Sequence, residues 1–187
     1  MTQYSPDYFV FGIKELVDPE RRTEIRLNAN GGNSILLVCP PSQEMDFIES
    51  LRNNFEPEKF ELINLDEVLL EFVESKKDEL PQLFDLLRGS IEQIFKAPAG
   101  EDSDDLFKLI LSKIEASFSR KRVPVLIRAG VLYGTGIDNI HIMEHPLVMD
   151  SLLPLLVLYP ASIEGEKLMF LSKRPASRYR CLIYKGF

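Results

Sequence analysis

The chain has 187 residues, 45% of them apolar and 27% charged, which is enough apolar material for a substantial core and leaves disorder expected only at short loops. Its 22 basic and 29 acidic side chains leave a formal charge of −7, which argues against whole-surface attraction to nucleic acid. The two cysteines, Cys39 and Cys181, are too few for a disulfide framework and both lie in apolar runs, so buried thiols in a reducing compartment are expected. The opening Met-Thr-Gln-Tyr-Ser-Pro-Asp has neither a basic nor an apolar leader region. The longest apolar stretch, Leu152 to Tyr159, contains Pro154 and is far too short to span a bilayer. A cytoplasmic location without a membrane partner is the resulting expectation.

Ser5-Pro6 predicts a helix start, and Phe9, Ile13, Leu16 and Val17 repeat at helical spacing until Asp18-Pro19. Residues 28–34 are a loop by composition. Ile35 to Cys39 follows, apolar at every position and ended by Pro40-Pro41, which suits a central strand covered on both sides. Ser42 is the expected cap of the next helix, with Met45, Ile48, Leu51 and Phe55 on one face. Phe60 to Leu65 reads as a second strand, and Asp66 as the cap of a short helix carrying Val68, Leu69, Phe72 and Val73.

From Asp78 to Lys96, the spacing of Leu80, Leu83, Phe84, Leu87, Ile91, Ile94 and Phe95 predicts one long amphipathic helix. The acidic turn at 97–105 places carboxylates at the start of another helix, where the macrodipole favours them, and that helix runs to about Ser119. Val123 to Arg128 is a third strand, and Leu155 to Tyr159, ended by Pro160, a fourth. Lys167 to Ser172 and Arg178 to Tyr184 read as two further strands near an edge. Short apolar strands alternating with helices imply right-handed βαβ units. The expected fold is therefore a single α/β domain over residues 1–187, with a mostly parallel central sheet flanked by helices. It is Rossmann-like or degenerate P-loop-like, with edge strands at the C-terminus.

A nucleotide triphosphatase would need a Gly-x-x-x-x-Gly-Lys-Ser/Thr loop leaving the first strand, because those amides wrap the phosphates. Here Gly31-Gly32 precede the strand, and Pro40-Pro41, which follow it, cannot donate backbone hydrogen bonds. The third strand, Val-Pro-Val-Leu-Ile-Arg, lacks the terminal acid that would hold magnesium. Gly130, Gly134 and Gly136 form a candidate ligand loop by position, after the third strand, although turns needing positive φ explain such glycines more simply.

His141-Ile142-Met143-Glu144-His145 matches the His-x-x-Glu-His string of zinc hydrolases, in which His141 and His145 would bind metal and Glu144 act as base. That chemistry needs one continuous helix, whereas Pro146 disfavours the helical conformation at His145. A helix beginning at Pro146 and carrying Leu147, Val148 and Leu152 fits better, so the histidines read as loop and cap, with zinc the alternative. No Gly-x-Ser-x-Gly elbow occurs, and no catalytic residue, cofactor or resident metal is assigned. Lys173, Arg174, Arg178, Tyr179 and Arg180 crowd the C-terminal stretch. Protection of a sheet edge is the first reading of that pattern, docking of a partner the second and nucleic-acid contact the third.

Several local strings resemble the BrxB family, the small component of BREX phage-defence systems. The Asn/Gly-rich loop from Asn28 leads into an apolar strand and then Pro40-Pro41-x-x-Glu44. The strand Val125-Leu126-Ile127 with its glycine-bearing loop resembles the family's apolar strand followed by Thr-Gly-Val-Gly. His145, ahead of a short helix, resembles the family's Ser-His position, and Leu155 to Pro160 its apolar strand ending in aromatic-Pro. Gly165 to Phe170 and then Tyr179-Arg180-Cys181-Leu182 resemble its closing strings. Arg128-Ala129 departs from the usual Thr-Gly at the start of the loop, and the connection into the fourth strand is shorter. The resemblance implies a non-catalytic adaptor or scaffold in a multi-protein antiviral complex. A PglZ-type alkaline-phosphatase-fold protein is the implied direct partner, alongside other BREX-like components, with nucleic acid met only within that complex.

Overall fold

The computed structural model describes residues 5–98, 100–101, 103–165, 167–176 and 180–185. In chain order, the first half holds α1 (Pro6–Leu16), α2 (Arg22–Asn28), β1 (Ser34–Cys39), α3 (Glu44–Asn54), β2 (Phe60–Asn64) and α4 (Leu65–Ser75). Then come α5 (Leu80–Leu86), α6 (Glu92–Phe95), α7 (Leu106–Ser119), β3 (Val123–Ile127), α8 (Asn139–Met143) and α9 (Pro146–Met149). The chain continues through β4 (Leu155–Glu164), β5 (Lys167–Phe170), β6 (Arg174–Pro175) and β7 (Leu182–Lys185). Among the described residues seven strands form one sheet with the main order β2-β3-β4-β1-β7, parallel throughout that path. It is one α/β domain with a mostly parallel sheet between two helical layers, consistent with a Rossmann-like fold.

Period-two alternation divides the apolar strand residues between two cores. Leu36, Val38, Leu126, Val157 and Tyr159 face α4 through α9, where Phe72, Ile110, Ile114, Ile142 and Val148 meet them. Ile35, Leu37, Val125, Ile127, Leu156 and Leu158 face α1, α2 and α3, where Val10, Ile13, Ile25, Phe47 and Leu51 meet them. Every residue of β1 and β3 is buried, which is why these strands show no polar alternation. Burying each such Leu, Ile or Val stabilises the fold by about 1.5–3 kcal/mol before chain entropy is counted.

Several elements differ from the sequence expectation, each for a local reason. The long helix over 78–96 is instead two short ones. The N–H of Leu87 closes α5 on the carbonyl of Leu83, and Gly89-Ser90, weak helix formers, separate it from α6. Leu80 and Ile94 are buried, while Phe84 and Ile91 are not. The α3 helix begins at Glu44 after a turn over Pro41–Gln43, with no side-chain cap from Ser42. That start leaves Met45 58% exposed and buries Phe47 instead. The cap of α4 is Asn64, whose side chain accepts from the amide of Asp66 at 3.1 Å.

The fourth strand does not stop at Pro160. Pairing with β3 ends at Leu126↔Val157 and pairing with β1 at Cys39↔Pro160, so the missing N–H breaks no ladder there. Ala161 to Glu164 then pair antiparallel with β5, and β5 with the short β6. β5 ends at Phe170 and not at Ser172, because Leu171 and Ser172 take positive φ in the turn that follows. β7, which covers only 182–185, lies at the sheet edge beside β1, while Arg178 and Tyr179 fall outside the described residues. As expected, α7 is capped by an acid of the 97–105 turn: Asp105 accepts from the amide of Lys108 at 2.7 Å.

Candidate functional site at the carboxyl ends of the strands

Doubly wound sheets bind ligands outside the carboxyl ends of their strands, where successive connections leave by opposite faces. In this chain that crevice lies around the ends of β1 and β3, since α3 leaves β1 on one face and α8 and α9 follow β3 on the other. The chain fills the crevice itself. Pro40-Pro41 stand where phosphate-binding amides would be needed, and the amide of Gln43 is turned back onto the carbonyl of Pro40 at 2.9 Å.

Beside the prolines lies an ion cluster drawn from three strand ends. Arg128, directly after β3, has left-handed backbone angles (φ 64°, ψ 36°), and this ends the expected strand at Ile127. Its Nε donates to Asp66 Oδ2 at 2.7 Å, in the first turn after β2. Its Nη1 donates to Glu44 Oε2 at 3.0 Å, at the start of α3, which follows β1 and the turn over Pro41–Gln43. Glu44 is only 8% exposed, and its Oε1 is buried without a hydrogen-bond partner. Burial raises the carboxyl pKa of Glu44 against the opposing pull of Arg128, while the hydrogen bond to Asp66 and the nearby carboxylates raise that of Arg128. Two carboxylates against one guanidinium make the crevice electronegative, so a nucleotide phosphate would meet repulsion where nucleotide-binding folds supply donors.

The β4–β5–β6 excursion lies over the same end. The side chain of Leu171 lies over Gly130, close enough that a β-carbon there would sit 3.2 Å from it, and the amide of Leu171 donates to the carbonyl of Pro160 at 2.9 Å. Arg174 pairs with Asp138 and stacks over the rings of Tyr133 and Phe170, with centroid distances of 5.7 and 5.9 Å. The hairpin is thereby tied across the loop that leaves β3.

The three glycines singled out from sequence are separated in role. Gly134 and Gly136 have φ of 89° and 76°, as turn glycines do, whereas Gly130 is a close-packing position under Leu171. Buried Ala129, Leu132 and Ile137 anchor the loop, and the Thr135 hydroxyl donates to the carbonyl of Leu132 at 2.8 Å while accepting from the amide of Ile137 at 3.2 Å. These side chains and backbone groups are occupied in holding a connection.

The His-x-x-Glu-His string does not form the continuous helix that zinc chemistry requires. His141 lies in α8 and His145 caps α9, with Glu144 between the two helices. The Nδ1 of His141 accepts from the amide of Asp138 at 3.0 Å, and the Nδ1 of His145 from that of Leu147 at 3.2 Å. Burial lowers both imidazole pKa values, so both rings are neutral acceptors, and Glu144 accepts from the amide of Arg180 at 3.2 Å. Among the described residues no group of three or more His, Cys, Asp or Glu side chains is placed to hold a metal ion. Leu152, expected on the helix with Leu147 and Val148, lies beyond its end and is exposed.

Of the basic C-terminal residues, Arg174 is engaged as described, Lys173 is exposed in the hairpin turn, and Arg180 reaches the carbonyl of Asn30 at 3.4 Å through Nε. Among the described residues of this stretch, Lys185 lies on the edge strand β7 and Arg174 on the short outer strand β6. Cys39 and Cys181 are buried free thiols, and burial pushes the pKa of Cys181 up to about 12. Sequence reasoning missed the Glu44–Arg128–Asp66 cluster. Its only trace is a charged residue in the connection that follows each of three strands, with partners 62 and 84 positions apart. No helix among the described residues is long and apolar enough to cross a membrane. Comparison with family models, with curated proteins and with solved structures returned no match.

Proposed function

We propose that this chain is a non-catalytic adaptor of a multi-protein phage-defence complex of BREX type, with a PglZ-type alkaline-phosphatase-fold protein as its direct partner. One observation carries the non-catalytic half of the reading. The crevice in which this class of sheet holds its ligand is closed by Pro40-Pro41, by the Glu44–Arg128–Asp66 ion cluster and by the β4–β5–β6 excursion. The BrxB-like strings from Asn28 to Leu182 support the defence context and the partner. A protein whose own crevice is filled acts through its outer surface. Here that surface includes the open edge of β7 with exposed Ile183, and the outer face of α1 with exposed Tyr8 and Phe11.

The test is co-expression with a PglZ-type protein, followed by affinity capture and calorimetry on the purified pair. A stoichiometric complex is expected, together with no heat of binding for Mg-ATP added to the chain alone. Failure to capture the PglZ-type protein at low salt would overturn the partner assignment. Saturable Mg-ATP binding would overturn the non-catalytic reading.

A further inference from the structure

At the end of the sheet opposite the filled crevice, the core between the sheet and α1–α3 comes to the surface in a cleft of about 310 Å³. Its floor is apolar. Phe60 and Val123, the paired first residues of β2 and β3, are buried there, and Val17 after α1 and Leu153 before β4 are half-buried beside them. Lys14, Lys59, Lys121, Asp18 and Glu56 complete the lining. An apolar floor with a few charged groups at its mouth is the general build of a small-molecule site, and this volume lies at the lower end of such sites.

The charges at the mouth are unevenly engaged. Glu56 is held by Lys14, whose Nζ donates to Oε1 at 2.6 Å and to the carbonyl of Asn54 at 2.8 Å. The hydrogen bond from Lys14 lowers the carboxyl pKa of Glu56, and Lys59 adds to this only as a more distant charge. Asp18 Oδ1 accepts from the amide of Glu20 at 3.0 Å, within the turn after α1. Among the described residues neither Lys59 nor Lys121 forms an ion pair.

Nor do these two lysines close a helix end, the commoner use of a cation at this end of a sheet. The last turn of α7 closes on backbone amides, Arg120 onto Ala116 at 3.2 Å, Lys121 onto Phe118 at 2.9 Å and Arg122 onto Ser117 at 3.0 Å. The end of α3 closes in the same way, Phe55 onto Leu51 at 2.9 Å. Both lysines stand on fixed backbone, since the carbonyl of Lys59 accepts from the amide of Val123 at 2.7 Å and Lys121 takes a φ of 58° beyond α7. Two carboxylates that are already engaged thus face Lys14, Lys59 and Lys121, and the charge left over is positive on a chain whose formal charge is −7.

We infer that this cleft binds a small organic anion, a carboxylate that carries a short apolar tail. The tail lies on Val17, Phe60, Val123 and Leu153, and the head group sits between Lys59 and Lys121. A single negative charge fits best, because Asp18 and Glu56 border the same mouth and repel a second one. The inference is independent of the adaptor reading, since it concerns the chain alone and the opposite end of the sheet.

Titration of the full, nitrogen-15-labelled chain with sodium hexanoate at low salt, followed by amide NMR up to about 20 mM, tests it. Saturable shifts centred on residues 17, 60, 123 and 153 are expected, with a dissociation constant of about 1 mM or tighter. From butyrate to hexanoate each added methylene should tighten binding by about fourfold. Lys59→Gln and Lys121→Asn should each weaken it by about two- to fivefold and the double variant by about tenfold, with melting unchanged because both side chains are exposed. No saturable shift at these residues would overturn the inference, as would binding that the double variant leaves intact. Hexanol binding as tightly as hexanoate would reduce the cleft to an apolar hollow without anion selection. Inorganic phosphate displacing hexanoate at equal concentration would show a bare anion site, and either result would overturn the assignment of an apolar carboxylate.

Discussion

Arg128 is the residue through which most of the candidate site acts. It sits at positive φ, a conformation that disfavours a branched or long side chain by roughly 1 kcal/mol. In return its guanidinium reaches two carboxylates that would otherwise repel each other. Arg128→Ala should lower stability by about 1–3 kcal/mol in urea denaturation, a range reduced from that of a buried pair because Arg128 and Asp66 are partly solvated. Adding Glu44→Gln to that variant should recover part of the loss, since it removes the buried charge left alone; strict additivity of the two substitutions would show that they do not interact.

Glu44 also gives a signed pH dependence. Its folded pKa is raised, so the folded state binds this proton more tightly than the unfolded chain does. The corresponding stability is fully present below the unfolded value of about 4.3 and is lost as pH rises through the folded value. Glu44→Gln should therefore gain on wild type across that window and run parallel to it at higher pH. A stability difference that stays flat across it would contradict the assignment.

At the scale of elements, the step from α8 to α9 shows how one residue type can be read in two ways. His141 and His145 have metal-motif spacing, but Pro146 forces a helix start, and the imidazoles serve as acceptors for backbone amides. Both rings have lowered pKa values, so their contribution is present above the unfolded value of about 6.5 and falls away as pH drops through the folded values. Below that window the Nδ1 positions carry protons and can no longer accept. His145→Ala should cost about 1 kcal/mol at neutral pH, while His145→Asn, which keeps a cap acceptor, should cost less and should lose the acid-sensitive component. Thermal melts of the three proteins from about pH 5 to 8 provide the comparison, and equal losses for Ala and Asn would remove the capping role.

At the scale of the whole molecule, stability is unevenly distributed. β1, β3 and β4 are covered from both sides, whereas the hairpin of β5 and β6 is attached at one end and held by Arg174. Hydrogen exchange should be slowest in the amides of 35–38, 125–127 and 156–158 and faster across 167–175. Arg174→Ala should speed exchange in the hairpin and in 129–138 while leaving the three central strands unchanged. Uniform acceleration throughout would mean that the hairpin is part of the global folding unit and not a tied excursion.

The fold class was legible from sequence because fully buried parallel strands must be apolar at every position, and Ile35–Cys39 and Val123–Ile127 are. The helix start at Pro146 and the acidic start of α7 were legible as well, since caps and prolines act within a few residues. Tertiary structure alone decided what depends on distant partners. The 78–96 periodicity did not keep α5 and α6 together, because Gly89-Ser90 separates them and other elements divide the apolar residues between core and surface. Pro160 did not end β4, because β3 had already run out, β1 pairs no further than Pro160 itself, and β5 takes up the pairing from Ala161. The cluster at Arg128 and the exposure of Leu152 on a loop held by Asn33 arise only when residues tens of positions apart are brought within hydrogen-bonding range. Local chain chemistry sets the type of most elements and the ends marked by a cap or a helix-starting proline, and packing decides the remaining ends and which charged or apolar side chains meet there.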